Sequence, residues 1–409
     1  MKCRHCGTTL KHRVLDLGDM PPSNAYIRPD ELEQFEPKLP LKVNVCHQCF
    51  LVQTEDFTRA DALFTPDYAY FSSTSQSWLK HAATFSRQAI DRFGLSETSF
   101  VVELASNDGY LLRNFSAAHI PCLGVEPTKA TADAAEHLGI PQWRDFFGLM
   151  VSDEIKSTHG RADLIIGNNV LAHVPDINDF VAGAAHLLKP GGTISFEFPH
   201  LLNLLRECQF DTIYHEHFSY LSLIAVRAIA IQTDLKIIDV AQLPTHGGSL
   251  RVFLAHAHDP RAPSGNVGAV LQKEINFGLM NLSTYKNLQP EVDRIKDELV
   301  QYLADAKRAG KSIWGYGAAA KGNTLLNYAK IKPDLVPMIA DAAPSKQGKY
   351  MPGSHIPIVS PPELIKAQPD VILILPWNIA PEIMQNLQPE LRVGTEFAWA
   401  IPRLTTKQI

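Results

Sequence analysis

Between residues 99 and 199 the chain repeats one local pattern, and this order restricts the fold more than any other feature. Apolar stretches end in turns and lead into helical periodicity: SFVVELASNDGYLL, then PCLGVEP, then ADLIIGNNVLAHVPD with the helix INDFVAGAAHLLKPGG behind it, then TISFEFP. Strands alternating with helices predict an α/β fold, a parallel, doubly wound sheet. A helical stretch over 75–93 precedes the first strand. After YHEHFSY (214–220) and a further helix, KIIDVAQL and GGSLRVFLA read as an antiparallel hairpin that completes the sheet.

The flanks differ. Residues 1–70 carry two CxxC pairs, Cys3/Cys6 and Cys46/Cys49, while Cys122 and Cys208 stand alone. Two knuckles of two thiolates make one tetrahedral four-sulfur shell, so the expectation is one structural zinc ion. The segment between them, with PPSNAYI and several prolines, is expected to be loop-rich, with zinc supplying the folding energy. A charged helical stretch, PEVDRIKDELVQYLADAKRAG (290–310), leads into residues 301–409, where SIWGYGAAAKGNTLLNY, DLVPMIAD, PDVILILPW and FAWAIP make a second and smaller α/β unit. The expected division is 1–70, 71–300 and 301–409. A length of 409 residues allows sizeable cores. A net charge of −5 gives no support for a nucleic-acid or membrane partner. No apolar run is long enough to span a bilayer, and MKCRHCGTTL lacks the apolar core of a signal peptide, so a cytoplasmic location is expected.

Ligands of open α/β sheets bind beyond the carboxyl ends of the strands. The first turn, ELASNDG, lacks the GxGxxG that cradles a pyrophosphate and carries Glu103 at the strand end. An acid there disfavours phosphate and tolerates a cation. Glu126 closes the next strand, where a carboxylate can accept both ribose hydroxyls. S-adenosylmethionine, with an amino group, a sulfonium and no phosphate, suits this chemistry better than NAD.

The series ELASNDG, GVEP, RDFF, NNVLAHVPD and LLKPGGTISFEFP resembles the class I S-adenosylmethionine-dependent methyltransferases. That resemblance implies donor contacts from Glu103, Ala105, Asn107, Gly109, Glu126, Asp145, Phe146, Asn168 and Asn169. With the four cysteines, YHEHFSY, HGGSLRVF and GYGAAAKGNT in this order, the whole chain resembles the sugar C-methyltransferases that act on nucleoside-diphosphate, usually dTDP, keto-deoxyhexoses. Such proteins combine a zinc-binding unit, a seven-stranded methyltransferase core and a Rossmann-like sugar-nucleotide unit. The resemblance implies that the last unit anchors a dTDP-linked keto sugar. Gly315, Tyr316 and Gly317 would allow close approach at a helix N-terminus, with Lys321, Asn323, Lys346, Lys349 and His355 nearby and His246 and Arg251 from the hairpin. A monomer or weak homo-oligomer is expected.

YHEHFSY supplies parts for removing a proton beside a ketone, which a carbon nucleophile requires. As a strand it would place His215 and His217 on one face. By resemblance His217 is the base, Tyr214 a carbonyl-binding or base-assisting group and Glu216 a sugar or imidazole partner, with His215 structural and Tyr68 and His173 completing the pocket. Two histidines and a glutamate could instead hold a metal. The activity implied is methyl transfer to C3 of a dTDP-4-keto-deoxyhexose. An O- or N-methyltransferase on the same core needs no enolising base, and a non-catalytic zinc-ribbon adaptor needs no methyl donor.

Overall fold

The structure, a computed structural model, describes residues 1–57 and 71–409. Tyr68 lies outside the described residues.

The central sheet has seven strands. Gln142–Trp143, Cys122–Val125, Val101–Leu104, Ala162–Asn168 and Leu188–Pro199 follow one another in parallel, and the hairpin Ser249–His256 and Leu235–Leu243 closes the far edge. Ser249–His256 runs antiparallel to both of its neighbours. The parallel strands are apolar on both faces, as helices on both sides require. The helix Gln76–Phe93 leans on the sheet through Ala82, Phe85, Ser86 and Ala89, a single stripe at helical spacing. Ser75 caps it by accepting from Trp78 N, and Gly94, at φ +61°, ends it.

The N-terminal segment departs from expectation. It is built on a four-stranded antiparallel sheet, His12–Met20, Leu39–Val45, Val52–Thr54 and Ser219–Tyr220. In HRVLDLGDM, Val14, Leu15, Leu17 and Met20 turn inward. They join one core with Val292, Ile295, Leu299 and Leu303 of the helix Leu288–Arg308 and with the C-terminal sheet. Borrowed apolar surface lets so short a segment form a sheet. The expected boundary at residue 300 falls inside that helix.

The C-terminal sheet has six strands in the order Ile358–Val359, Ile339–Ala340, Ile313–Tyr316, Val371–Ile374, Glu396–Trp399 and Thr405–Gln408, with only the last antiparallel. Gly317, at φ +90°, sits where a Cβ would come within 2.4 Å of Pro376 Cδ. Glycine there lets the segment after Ile313–Tyr316 pass directly against the segment after Val371–Ile374. No helix among the described residues is long and apolar enough to cross a membrane.

Candidate active site

One cavity of about 970 Å³ opens at the carboxyl ends of the central strands, and all three parts of the chain line it. Asn24 and Tyr26 come from the N-terminal segment, the donor turn and the histidines from the centre, and Lys321, Lys346 and Asn378 from the C-terminal unit.

The turn after Val101–Leu104 explains its unusual sequence. Ala105, Asn107 and Gly109 have φ of +56°, +50° and +75°. The left-handed conformation that glycine adopts freely is therefore present, at a cost of about 1–2 kcal/mol for alanine. Glu126 ties the turn down. Its Oε2 accepts from Asn107 N at 2.9 Å, and its Oε1 accepts from Thr128 N at 3.0 Å and from the Thr128 hydroxyl. Three of about four lone-pair positions are thus used, which leaves about one free for a ligand. Asn168 is buried against the cavity, and neither its Oδ1 nor its Nδ2 has a partner among the described residues. Such an orphaned amide is costly unless a ligand meets it. Asp145 and Phe146 lie at the exposed rim. This donor set, a near-saturated carboxylate, an orphaned amide and no phosphate cradle, fits S-adenosylmethionine. Glu103 and Gly109 do not line the cavity. Glu103 is buried beneath the turn, and burial raises its pKa well above the carboxylate range.

YHEHFSY is a turn, not a strand, through Phe218. His217 N donates to Tyr214 O at 2.9 Å, and strand pairing begins at Ser219, against Gln53. The expected common face for the histidines is lost. His215 Nε2 donates to Leu39 O at 3.1 Å. His217 Nδ1 lies 2.7 Å from Thr212 O. A carbonyl only accepts, so Nδ1 carries the proton and Nε2 keeps its lone pair. His217 lines the cavity, with the Tyr214 ring centroid 3.9 Å away and the His173 ring 4.6 Å away. Burial, then the charges of His173 and Lys321, hold its pKa well below the usual imidazole range. Burial brings His173 to about 4, while a hydrogen bond to the Glu216 carbonyl opposes that shift. The Glu216 carboxylate accepts from Asn24 Nδ2 at 2.9 and 2.7 Å, and Asn24 rather than Glu216 lines the cavity.

Lys321 Nζ donates to Asn378 Oδ1 at 2.7 Å and lies 5.1 Å above the Trp377 ring. Trp377 Nε1 in turn donates to the buried Asp211 at 2.8 Å, whose pKa burial raises to about 6. Lys346 donates to Ala318 O at 2.8 Å beside Asp341. Other expected sugar contacts do not reach the cavity. Gly315, Tyr316 and Gly317 shape the turn behind it, and Asn323 donates to Ser23 O at 2.6 Å. His355 pairs with Glu36 at 3.1 Å, and Lys349 lies in the same loop outside the lining. Arg251 is spent on Glu197 and His81 and covers the Phe85 ring at 3.9 Å. Asn24, Tyr26, Trp78, Asp211 and Asn378 were missed by sequence reasoning. The carboxyl-end position of Asn378 was a usable signal, whereas nothing local marked Asn24 or Tyr26 in PPSNAYI.

At the N-terminal sheet, Cys3 and Cys49 sulfurs are 3.5 Å apart, Cys6 and Cys46 sulfurs likewise, and all four lie within 4.8 Å of one another. Tetrahedral Zn–S bonds of about 2.3 Å put sulfurs roughly 3.8 Å apart, so the four thiolates fit zinc. Among the described residues this is the one such cluster.

Comparison with known proteins agrees with this geometry. Family models match residues 3–64 (zinc binding domain), 78–240 (methyltransferase domain) and 244–402 (C-methyltransferase C-terminal domain). The C-methyltransferase NovU of Streptomyces niveus is 34% identical over 401 residues, which is 98% of this chain and 95% of that protein. The chain belongs to this C-methyltransferase family. It is an S-adenosylmethionine-dependent methyltransferase with a zinc-binding N-terminal unit and a class I methyltransferase core. Similar solved structures include a magnesium protoporphyrin IX methyltransferase from Synechocystis PCC 6803, 12% identical over 44% of this chain and 79% of that one, TM-score 0.34. Another is an S-adenosylmethionine-dependent methyltransferase from Clostridium acetobutylicum ATCC 824, 13% identical over 44% and 92%, TM-score 0.36.

Proposed function

We propose that the protein methylates C3 of a dTDP-linked 4-keto-deoxyhexose, with His217 as the base. The observation that carries this reading is the tautomer of His217. Its proton is committed to Thr212 O, and its Nε2 lone pair belongs to a cavity shared with the donor turn and with Lys321. Methylation at carbon, which the names of the C-methyltransferase relatives specify, needs a base that removes a proton beside the ketone. Nε2 takes the C3 proton, and the C–H electron pair passes into an enolate. When bound, S-adenosylmethionine supplies the electrophilic methyl group, its sulfur keeping the C–S pair as the C3–CH3 bond forms. The Tyr214 hydroxyl helps hold the carbonyl, and the apolar walls exclude water. Lys321, Lys346 and the N-terminus of the helix Ala320–Tyr328 offer positive potential to a diphosphate.

The direct test is methyl transfer across a panel of dTDP-keto sugars. The expected product gains one methyl at C3 and loses the C3 hydrogen. A product methylated on oxygen or nitrogen, with C3–H retained, overturns the proposal.

Two binding experiments separate the ends of the cavity. Glu126→Gln is expected to weaken S-adenosylhomocysteine about 10- to 100-fold in calorimetry, the size of one hydrogen bond to a charged group, and to leave dTDP binding unchanged. Lys321→Gln is expected to do the reverse, by a similar factor. Equal affinities for wild type and variant would remove that residue from its assigned end.

A further inference from the structure

The hairpin turn Thr245–Gly248 is bent in a way few sequences accept. His246, Gly247 and Gly248 have φ of +54°, +84° and +108°. A Cβ on Gly247 would lie 2.5 Å from a Trp377 ring carbon, and one on Gly248 would lie 2.2 Å from Asn203 Nδ2. Glycine is required at both. Histidine at a left-handed position costs about 1–2 kcal/mol, and surrounding structure must hold it there. Gln209 Nε2 donates to Gly247 O at 2.8 Å, Ser249 Oγ to Thr245 O at 2.9 Å, and Thr245 Oγ1 to Glu197 at 3.0 Å. The turn is thus braced from the sheet, from the segment before the base and from the C-terminal unit.

What this bracing presents is an imidazole in the cavity wall. The His246 ring packs 5.1 Å from the Trp78 ring. Its Nε2 lies 3.2 Å from Asn169 Nδ2. An amide nitrogen donates and cannot accept, so Nε2 is the acceptor and the ring proton resides on Nδ1. Among the described residues, Nδ1 has no hydrogen-bond partner. Burial, then the charge of Lys321, brings the ring to about 4, so the imidazole is neutral at pH 7. Asn169 is also left-handed, at φ +54°, and its N–H donates to Glu197 O at 2.7 Å. Two strained residues, one just past the strand Ala162–Asn168 and one in the hairpin turn, therefore meet, and their contact fixes one N–H.

We propose that His246 is a catalytic residue, its Nδ1–H donating to the substrate oxygen on which negative charge collects when His217 removes the neighbouring proton. The proposal rests on the enolisation reading above. The proton moves from carbon to His217 Nε2, the C–H pair becomes the enolate, and His246 keeps its own proton throughout. Asn169 is the positioning residue that sets the tautomer.

Loss of one such donor typically costs about 10²–10³ in kcat. His246→Ala is expected to lose that much, with S-adenosylhomocysteine and dTDP affinities within about twofold of wild type. Washing of deuterium from D2O into C3 should slow in step, because enolisation is the assisted step. Asn169→Asp keeps the imidazole but accepts from Nε2–H, moving the lone pair to Nδ1. Its kcat and its deuterium wash-in should therefore fall as for His246→Ala. His246→Asn tolerates the left-handed backbone and restores an N–H donor, so it should recover part of the loss. Unchanged kcat and wash-in for His246→Ala overturns the proposal. So does a variant that loses affinity for both ligands yet turns over normally at saturation. If the wild-type enzyme neither washes in deuterium nor methylates any keto sugar at carbon, the enolisation reading fails first and takes this one with it.

Discussion

His217→Asn is expected to lower kcat by a factor on the order of 10² or more while both ligands still bind. Asparagine can keep the hydrogen bond to Thr212 O that positions residue 217, so the turn should survive. What disappears is the Nε2 lone pair, which interacts with the reacting proton only as the transition state forms. The loss should therefore fall on kcat more than on affinity. Tyr214→Phe is the necessary control, because its ring lies 3.9 Å from that of His217. Near-wild-type turnover for His217→Asn beside an inactive Tyr214→Phe would make Tyr214 the base. The pH profile gives a second reading. A base acts in its neutral form, and burial holds His217 well below about 6.5, its ordinary value. In the free enzyme kcat/KM should stay level as the pH falls through 6.5 and decline only below it. A fall centred at 6.5 would place the essential base in a more solvated site.

The parallel sheet and its closing hairpin were legible in the sequence because each rests on short-range patterns, apolar runs punctuated by turns. The first turn was legible only as a degenerate glycine motif. Its backbone explains why, since Ala105 and Asn107 take the left-handed conformations themselves. The stretch proposed to carry the base was legible by composition and misread in shape. YHEHFSY alternates residue types as a strand does, but a hydrogen bond from His217 N to Tyr214 O folds it into a turn. That outcome is set by long-range packing, because Thr54 N and Oγ1 draw Phe218 and His217 carbonyls onto the N-terminal sheet. The contributions of Asn24 and Tyr26 were invisible for the same reason. Tyr26 reaches the cavity by donating to Ala318 O at 2.6 Å, across nearly 300 residues of chain. Arg251 and His355 stood in the right motifs, and a buried and a neighbouring carboxylate, Glu197 and Glu36, hold them instead.

The N-terminal sheet leads to the second large effect. Cys46→Ala, or removal of zinc by a strong chelator, is expected to lower the melting temperature by at least about 10 °C and to abolish turnover together with it. Structural zinc in small units carries apparent binding energies of about 10–16 kcal/mol, far more than a short antiparallel sheet can replace. The four cysteines bracket that sheet, with Cys46 and Cys49 in the turn between Leu39–Val45 and Val52–Thr54. Gln53 Nε2 donates to Cys3 Sγ at 3.2 Å, Gln53 pairs with Ser219, and Thr54 Oγ1 donates to His217 O at 3.1 Å. Arg4, inside the first knuckle, stacks 5.3 Å from the Phe218 ring and donates to Pro175 O at 3.0 Å. The four-cysteine cluster is thus linked through Gln53 and Thr54 to the backbone of His217. A limited chelator series followed by metal analysis, circular dichroism and turnover should show activity and zinc falling together, one zinc per chain, before the central sheet unfolds. Full activity in protein shown to be zinc-free would break the link between the knuckles and the turn that carries His217.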